Sequence, residues 1–238
     1  MRISQEFPDY SRQQIQALIK QGKIQISGQV MTKPGVLVAI DAPVTGAIEP
    51  PKYVSRAGFK LEAALDQFSI DVHNKVALDA GISTGGFTDC LLQKGARRVY
   101  GVDVGHGLVH ERILRDDRLI LMERTNLRYI GTLNKIPELI DIITLDLSFI
   151  SLLKVIDAVI PLLAPDGHII TLIKPQFEVQ RHDLGRGGII RDASLHQEVI
   201  NQVTAGFSDL GLVRMGLIDS PIAGGSGNKE FLAVFMRK

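Results

Sequence analysis

Residues 76–87 read VALDAGISTGGF, an apolar run that leads into a turn with three glycines. The apolar run predicts a strand over residues 76–79, and residues 86–94 predict the helix that follows the turn. Three glycines within six positions let the backbone approach a ligand closely, and the amino terminus of the helix offers free N–H groups. The stretch therefore predicts the ligand-binding loop of an α/β sheet.

Strands and helices continue to alternate after this loop, which is the pattern of a parallel α/β sheet. Helices are predicted over residues 152–163 and 195–210. Further strands are predicted over residues 98–102, 119–122, 140–146, 168–173, 213–218 and 231–236. We therefore expect one large α/β domain that extends to the end of the chain.

Composition excludes several classes of protein. Apolar residues make up 45% of the 238 residues and charged residues 22%. No stretch approaches the roughly 18 uncharged residues of a spanning helix, and residues 1–10 lack the apolar core of a signal peptide. A single cysteine, Cys90, excludes an intrachain disulfide, and neither cysteine nor histidine spacing indicates a metal site. We expect a soluble, cytoplasmic protein without a metal.

A small module precedes the α/β domain. Ser11 begins a capping-box pattern, apolar residues follow at helical spacing, and Gly22 ends the predicted helix. Two short alternating runs, residues 23–26 and 36–40, predict strands. Residues 1–60 hold eight Lys/Arg against four Asp/Glu, whereas the rest of the chain holds 19 against 22. This basic surplus indicates a polyanionic partner.

Two acidic residues beside the glycine turn indicate the type of ligand. Asp79 ends the first strand, where its charge disfavours a phosphate, and Asp103 ends the next strand, where it can accept hydrogen bonds from both hydroxyls of a ribose. S-adenosylmethionine carries a ribose and a positively charged part, so it suits both acids. The dinucleotide fingerprint G-x-G-x-x-G is absent, since the spacing is G-x-x-x-G-G. A glycine turn without any ligand is the alternative.

Four charged residues are predicted near one edge of the sheet. Asp146 and Lys174 each follow a strand, Lys60 precedes the first strand, and Glu230 follows a glycine-rich turn. Methyl transfer to a hydroxyl requires a group that takes its proton, and two lysines in one site repel each other, which favours the neutral form of one. Singly, each residue is explained as a surface ion pair or a helix cap. Together they indicate a site with a lysine base.

These features resemble the hemolysin A type of ribosomal RNA methyltransferase, which is related to the FtsJ-like ribose methylases. The matching strings occur in order along the chain: YVSRAGFKLE (53–62), STGGFTDC (83–90), VDVG (102–105), ERTN (123–126), DLSFIS (146–151), KPQFE (174–178), SPI (220–222) and GNKE (227–230). Many ordered matches are more specific than a single glycine loop.

The resemblance implies both the fold and the activity. The fold is an α/β, Rossmann-like class I S-adenosylmethionine-dependent methyltransferase domain over residues 56–238, with a linker over residues 48–55. A small S4-like α/β RNA-binding domain occupies residues 1–47. Family members carry an extra helix before the segment that begins at Ser11, and ten residues leave little room for it, so we expect the module to lack its first helix. The implied reaction methylates a ribose 2′-hydroxyl of ribosomal RNA.

The resemblance also implies the functional residues and the partner, which is ribosomal RNA or ribosomal subunits. The catalytic tetrad is Lys60, Asp146, Lys174 and Glu230. The residues that bind S-adenosylmethionine are Asp79, Gly81, Ser83, Thr84, Gly85, Gly86, Phe87, Asp103, Glu123 and Asn126. The RNA-binding residues are Arg12, Lys20, Lys23 and Arg56. Two alternatives stay open, a non-catalytic RNA-binding protein that keeps the fold and a pore-forming hemolysin.

Overall fold

The computed structural model describes residues 2–7, 10, 12–46, 51–132 and 135–238. The chain divides into two compact units, residues 1–54 and residues 55–238. The predicted linker over residues 48–55 stays a prediction, because residues 47–50 lie outside the described residues. The predicted capping role of Ser11 lies outside them as well.

The amino-terminal unit contains two helices and a small antiparallel sheet. Its elements are α1 (Arg2–Glu6), α2 (Arg12–Lys20), β1 (Ile24–Ile26), β2 (Gln29–Met31) and β3 (Val44–Thr45), and the strand order is β2-β1-β3. Ile15 and Ile19 share one face of α2, as their spacing predicts, and pack with Ile24 into the core of this unit.

Two expectations for this unit are wrong. Residues 36–40 form no strand, because Leu37 and Ile40 are 97% and 86% exposed and the alternating run therefore has no buried face. Strand β1 pairs on one side with β2 and on the other with β3, which lies after residues 36–40 in the chain. Residues 2–6 do form a short helix, α1, where no helix was expected, and Ile3 packs against the core of the unit.

The carboxyl-terminal unit confirms the predicted α/β fold. Its helices are α3 (Ala57–Gln67), α4 (Gly86–Gln93), α5 (Glu111–Leu114), α6 (Ile156–Val159), α7 (Pro175–Glu178) and α8 (Ala193–Asp209). Its strands are β4 (Val76–Ala80), β5 (Arg98–Val102), β6 (Leu119–Met122), β7 (Ile140–Leu145), β8 (Leu163–Ile173), β9 (Leu212–Asp219) and β10 (Phe231–Arg237). The seven strands have the order β6-β5-β4-β7-β8-β10-β9.

Burial explains the central strand β4, and a proline explains where a predicted helix is interrupted. All five residues of β4 are buried, as expected for a parallel strand covered on both faces. The predicted helix over residues 152–163 is instead broken into α6 and two 3₁₀ turns, and β8 begins at Leu163. Pro161 lies in the second 3₁₀ turn, just after α6, and a proline interrupts a helix because it lacks the backbone N–H.

Within the part of the chain that the structure describes, every helix is too short or too polar to span a membrane.

Strand direction brings the functional residues to one edge of the sheet. Strands β4, β7 and β8 are parallel, so the residues that follow them lie at the same edge. Strand β10 is antiparallel to β8, and its first residue, Phe231, pairs with Ile173 at the end of β8. Glu230, the residue before β10, therefore lies beside Lys174, which follows β8. Asp146, which follows β7, lies at the same edge.

Candidate active site

Two lysine–carboxylate ion pairs lie at this edge of the sheet. The Lys60 Nζ is 2.5 Å from an Oε of Glu230, and the Lys174 Nζ is 2.7 Å from Oδ1 of Asp146. Lys174 also donates a hydrogen bond of 3.0 Å to the Ser148 hydroxyl. Oδ1 of Asp146 is buried, yet it accepts no aligned hydrogen bond from the described residues. The four residues predicted for catalysis therefore form two charged pairs.

The Lys60–Glu230 pair is the more deeply buried. Lys60 is 8% exposed and Glu230 is 3% exposed, so each charge needs the other in place of water. Lys60 lies on α3, a helix that was not predicted although Leu61, Ala64 and Leu65 are buried at helical spacing. A Cβ at Gly224 would lie 2.4 Å from Oε1 of Glu230, so the glycine-rich turn leaves room for this carboxylate.

A cavity of about 460 Å³ opens between the ends of β4, β5 and β7. Asp103 lies on its wall, and its two carboxylate oxygens accept hydrogen bonds from the N–H groups of Ser83 and Gly105 at 2.9 and 2.7 Å. Each oxygen keeps a lone pair for a further donor. The other walls are mostly apolar: Val102, Val104, Leu108, Leu127, Leu147, Ile150 and Val155. An apolar slot with a carboxylate at one side suits a nucleoside.

A second cavity, of about 250 Å³, adjoins the first on the side of the glycine turn. Lys60 and Arg56 line it together with residues of the turn, and the two cavities share Gly81, Ser83 and Asp146. The carboxylate that pairs with Lys174 therefore lies between a nucleoside-sized space and a space lined by positive charge.

Gly81 lets the backbone turn closely past Asp146. Its φ is +89°, and a Cβ there would lie 2.5 Å from the carbonyl oxygen of Asp146. Any larger residue would therefore be strained and would also displace the segment that carries Asp146. Gly85 has a φ of +93° and precedes α4, but it faces Ile113 and lines neither cavity.

Asp79, which was predicted to lie beside a ligand, lines neither of the two cavities. It is fully buried, and one carboxylate oxygen accepts hydrogen bonds from the Thr88 N–H and hydroxyl while the other accepts one from the Thr144 hydroxyl. Burial raises the pKa of Asp79 from 3.8 to about 6, although these hydrogen bonds lower it. Asp79 therefore joins β4 to α4 and β7.

We expect Asp79→Asn to stabilise the protein at alkaline pH. A carboxyl whose pKa rises on folding costs stability once it ionises, so the cost is absent below pH 3.8 and complete above about pH 6. Asparagine keeps an acceptor oxygen for Thr88. Its amide N–H can donate to the Thr144 hydroxyl, because that hydroxyl can in turn donate to the Leu78 carbonyl. The gain at about pH 8 is up to about 3 kcal/mol and falls below about 1 kcal/mol at about pH 4.

Urea unfolding at these two pH values measures the effect of Asp79→Asn. The exposed Glu111→Gln serves as the control, for which we expect no such change with pH. Lower stability of Asp79→Asn at alkaline pH would show that the ionised carboxylate is needed in the fold.

Glu123, which was also predicted to bind the cofactor, is held by contacts within the chain. It lines neither cavity, and it accepts hydrogen bonds from the Gly107 N–H at 2.7 Å and from the His106 ring at 2.5 Å. These contacts lower the pKa of Glu123. They hold the segment that follows β5, which includes the cavity-lining Leu108.

Seven of the ten residues predicted to bind the cofactor do line a cavity. Gly81 and Ser83 line both cavities, Asp103 and Asn126 line the larger one, and the smaller one is lined by Thr84, Gly86 and Phe87. Ser148, the partner of Lys174, was not predicted, although its position two residues after Asp146 is a signal for it.

The predicted RNA-binding residues fall into two groups. Arg12, Lys20 and Lys23 are exposed on the amino-terminal unit, at and just after α2. Arg56 is exposed in the carboxyl-terminal unit and lines the smaller cavity beside Lys60. Within the described residues, no group of His, Cys, Asp and Glu could hold a metal ion.

Two family models match the chain, one over each unit. The model described as "FtsJ-like methyltransferase" matches residues 53–237, and the model described as "S4 domain" matches residues 2–42.

Similar proteins cover nearly the whole chain. The "16S/23S rRNA (cytidine-2'-O)-methyltransferase TlyA" of Mycobacterium tuberculosis is 39% identical over 93% of this chain and 82% of its own length. "Hemolysin A" of Brachyspira hyodysenteriae is 39% identical over 95% of this chain and 94% of its own. The solved structure of a hemolysin candidate from Streptococcus thermophilus has a TM-score of 0.79 at 39% identity and covers 96% of this chain and 83% of its own.

Proposed function

The chain belongs to the family of FtsJ-like methyltransferases, and we propose that it transfers a methyl group from S-adenosylmethionine to a ribose 2′-hydroxyl of ribosomal RNA. The observation that carries the proposal is the Lys174–Asp146 ion pair beside a nucleoside-sized cavity. A lysine amine next to a methyl donor can take the proton of an attacking hydroxyl.

The residues of the two cavities fit S-adenosylmethionine. When bound, this cofactor supplies a methyl group on a sulfonium centre. Asp103 would hold the ribose through its two oxygens, and the apolar walls would hold the adenine. The glycine turn, which Gly81 brings close to Asp146, would hold the amino-acid part.

Each residue of the two ion pairs has a separate role in this proposal. Lys174 acts as the base in its neutral form, after the ammonium of the ion pair has released one proton to solvent; the amine then accepts the proton of the hydroxyl, and the Asp146 carboxylate stabilises the ammonium that re-forms. The Ser148 hydroxyl accepts a hydrogen bond from Lys174 and so limits the directions in which the amine can point. Lys60, held by Glu230, presents a second ammonium to the smaller cavity, where it can bind oxygens of the substrate.

The S4 domain supports an RNA substrate. Its exposed basic residues, Arg12, Lys20 and Lys23, can contact the phosphates of folded RNA, whose backbone and shape are more accessible than its paired bases. The Mycobacterium tuberculosis relative is named for 2′-O-methylation of cytidine in ribosomal RNA. We infer that ribosomal RNA or ribosomal subunits are the partner, which places the activity in the cytoplasm.

Methyl incorporation tests this function. The protein is incubated with isotopically labelled S-adenosylmethionine and either ribosomal RNA or ribosomal subunits, and the RNA is digested to nucleosides for mass spectrometry. We expect the label on a ribose, which also makes the adjacent phosphodiester resistant to alkali. A label on a base would contradict the proposal. Absence of a label, with donor and RNA both bound, would indicate a non-catalytic RNA-binding protein.

A further inference from the structure

Two loops carry the Lys174–Asp146 pair. The first loop, residues 146–151, follows β7, and the second, residues 174–178, follows β8 and contains α7. At its beginning the first loop is fixed to the sheet, because the Asp146 N–H donates to the Ala80 carbonyl at 3.1 Å. Its far end leads into the 3₁₀ turn Leu152–Lys154. The distance between the amine and the carboxylate depends on how these loops are held together.

The middle of the first loop is strained and solvent-exposed. Phe149 has a φ of +66°, a backbone conformation that residues other than glycine rarely adopt. Its side chain is 91% exposed. Its ring meets Phe177 of the second loop with centroids 5.1 Å apart. A strained backbone conformation persists only when the surrounding structure holds it in place. The Phe149–Phe177 contact faces solvent, so it is not sufficient by itself to hold the backbone of Phe149.

Glu178 supplies a buried contact between the same two loops. Its Oε1 accepts a hydrogen bond of 2.9 Å from the N–H of Leu152, the first residue of the 3₁₀ turn. Leu152 is 2% exposed and Glu178 is 9% exposed, so water cannot easily replace either partner. The next N–H, that of Leu153, is capped by the Ser151 hydroxyl at 3.2 Å. Glu178, at the end of the second loop, therefore caps the 3₁₀ turn that follows the first loop.

We propose that Glu178 is a positioning residue that fixes Asp146 relative to Lys174 by joining the far ends of their loops. The inference rests on the proposed methyl transfer. Glu178 lines neither of the two cavities assigned to the donor, so its effect on catalysis passes through the two loops rather than through contacts with the donor. It lines a third cavity, of about 600 Å³, which shares Phe149 and Ile150 with the larger donor cavity. Burial raises the pKa of Glu178, against the Leu152 hydrogen bond, so the fold gains little from the carboxylate charge as such.

The test compares Glu178→Ala with Glu178→Gln. Alanine removes the acceptor for the Leu152 N–H, and we expect kcat to fall by about 10- to 100-fold, since a displacement of about 1 Å in an active site can cost that much. Glutamine keeps an acceptor oxygen and is expected to restore kcat to within about threefold of wild type. The matched control is Glu198→Ala, an exposed glutamate on α8, for which we expect no change.

Donor affinity by calorimetry and thermal unfolding are measured for every variant. A positioning role lowers kcat while the dissociation constant for S-adenosylmethionine stays within about twofold, because Asp103 and the glycine turn are untouched. Wild-type kcat in Glu178→Ala would overturn the inference, as would an equal loss in Glu178→Gln or a parallel loss of donor affinity. An inactive wild type would instead overturn the proposed function, and this inference with it.

Discussion

Replacing Lys174 by alanine is expected to lower the rate of methyl transfer by about 1,000-fold, within the range of 10² to 10⁴ that a general base contributes. The Lys174 amine lies 2.7 Å from Asp146 and 3.0 Å from the Ser148 hydroxyl. Lys174 lies neither on the cavity wall that carries Asp103 nor in the glycine turn. Donor binding should therefore persist. The measurement is kcat under saturating donor and RNA, together with donor affinity by calorimetry.

Lys174→Arg distinguishes a base from a simple positive charge. Arginine can keep the ion pair with Asp146, but its guanidinium does not give up a proton near neutral pH. We expect it to be about as inactive as alanine. Lys75→Ala, which removes a half-buried lysine just before β4, serves as the control and should retain full activity. Near-wild-type kcat in Lys174→Arg would contradict the role of Lys174 as the base.

Asp103→Ala is expected to weaken S-adenosylmethionine binding by at least about 100-fold, because hydrogen bonds to a charged group contribute roughly 1.5 to 3 kcal/mol each. The variant loses the carboxylate that would receive the ribose hydroxyls. It also loses the acceptor for the Ser83 and Gly105 N–H groups, which shape the cavity wall. Titration calorimetry measures the affinity directly, and the exposed Glu111→Ala is the matched control.

Kinetics add a second criterion for Asp103. If this residue only binds the donor, KM for S-adenosylmethionine rises while kcat at saturation stays within about tenfold of wild type. Unchanged donor affinity in Asp103→Ala would show that the adenosyl part lies elsewhere, and the larger cavity would lose its assignment.

The sequence predicts the sheet edge that carries the two ion pairs better than it predicts the contacts of the glycine loop. Asp146 and Lys174 were predictable because each follows an apolar strand, and the carboxyl ends of parallel strands meet at one edge. The place of Glu230 depends on β10 running antiparallel between β8 and β9. No local spacing reveals that arrangement, so only the preceding glycine-rich turn pointed to Glu230 before the family resemblance assigned it to the tetrad.

Two acids and one apolar run show what a sequence pattern leaves out. Asp79 and Glu123 both stand near strand ends, as ligand-binding acids do, but both carboxylates are occupied by neighbours within the chain. Which way a side chain points depends on partners such as Thr88 and Gly107, which spacing alone does not pair with an acid. Residues 36–40 alternate like a strand and yet bury no face, because alternation indicates a strand only where a core is present to cover it.

A crystal structure of the protein with bound S-adenosylmethionine tests the account most directly. We expect the adenosyl group in the larger cavity, with both ribose hydroxyls within hydrogen-bond distance of Asp103 and the sulfonium methyl turned toward Lys174 and Asp146. A donor bound outside this cavity, or one whose methyl group faces away from the Lys174 amine, would contradict the proposed chemistry.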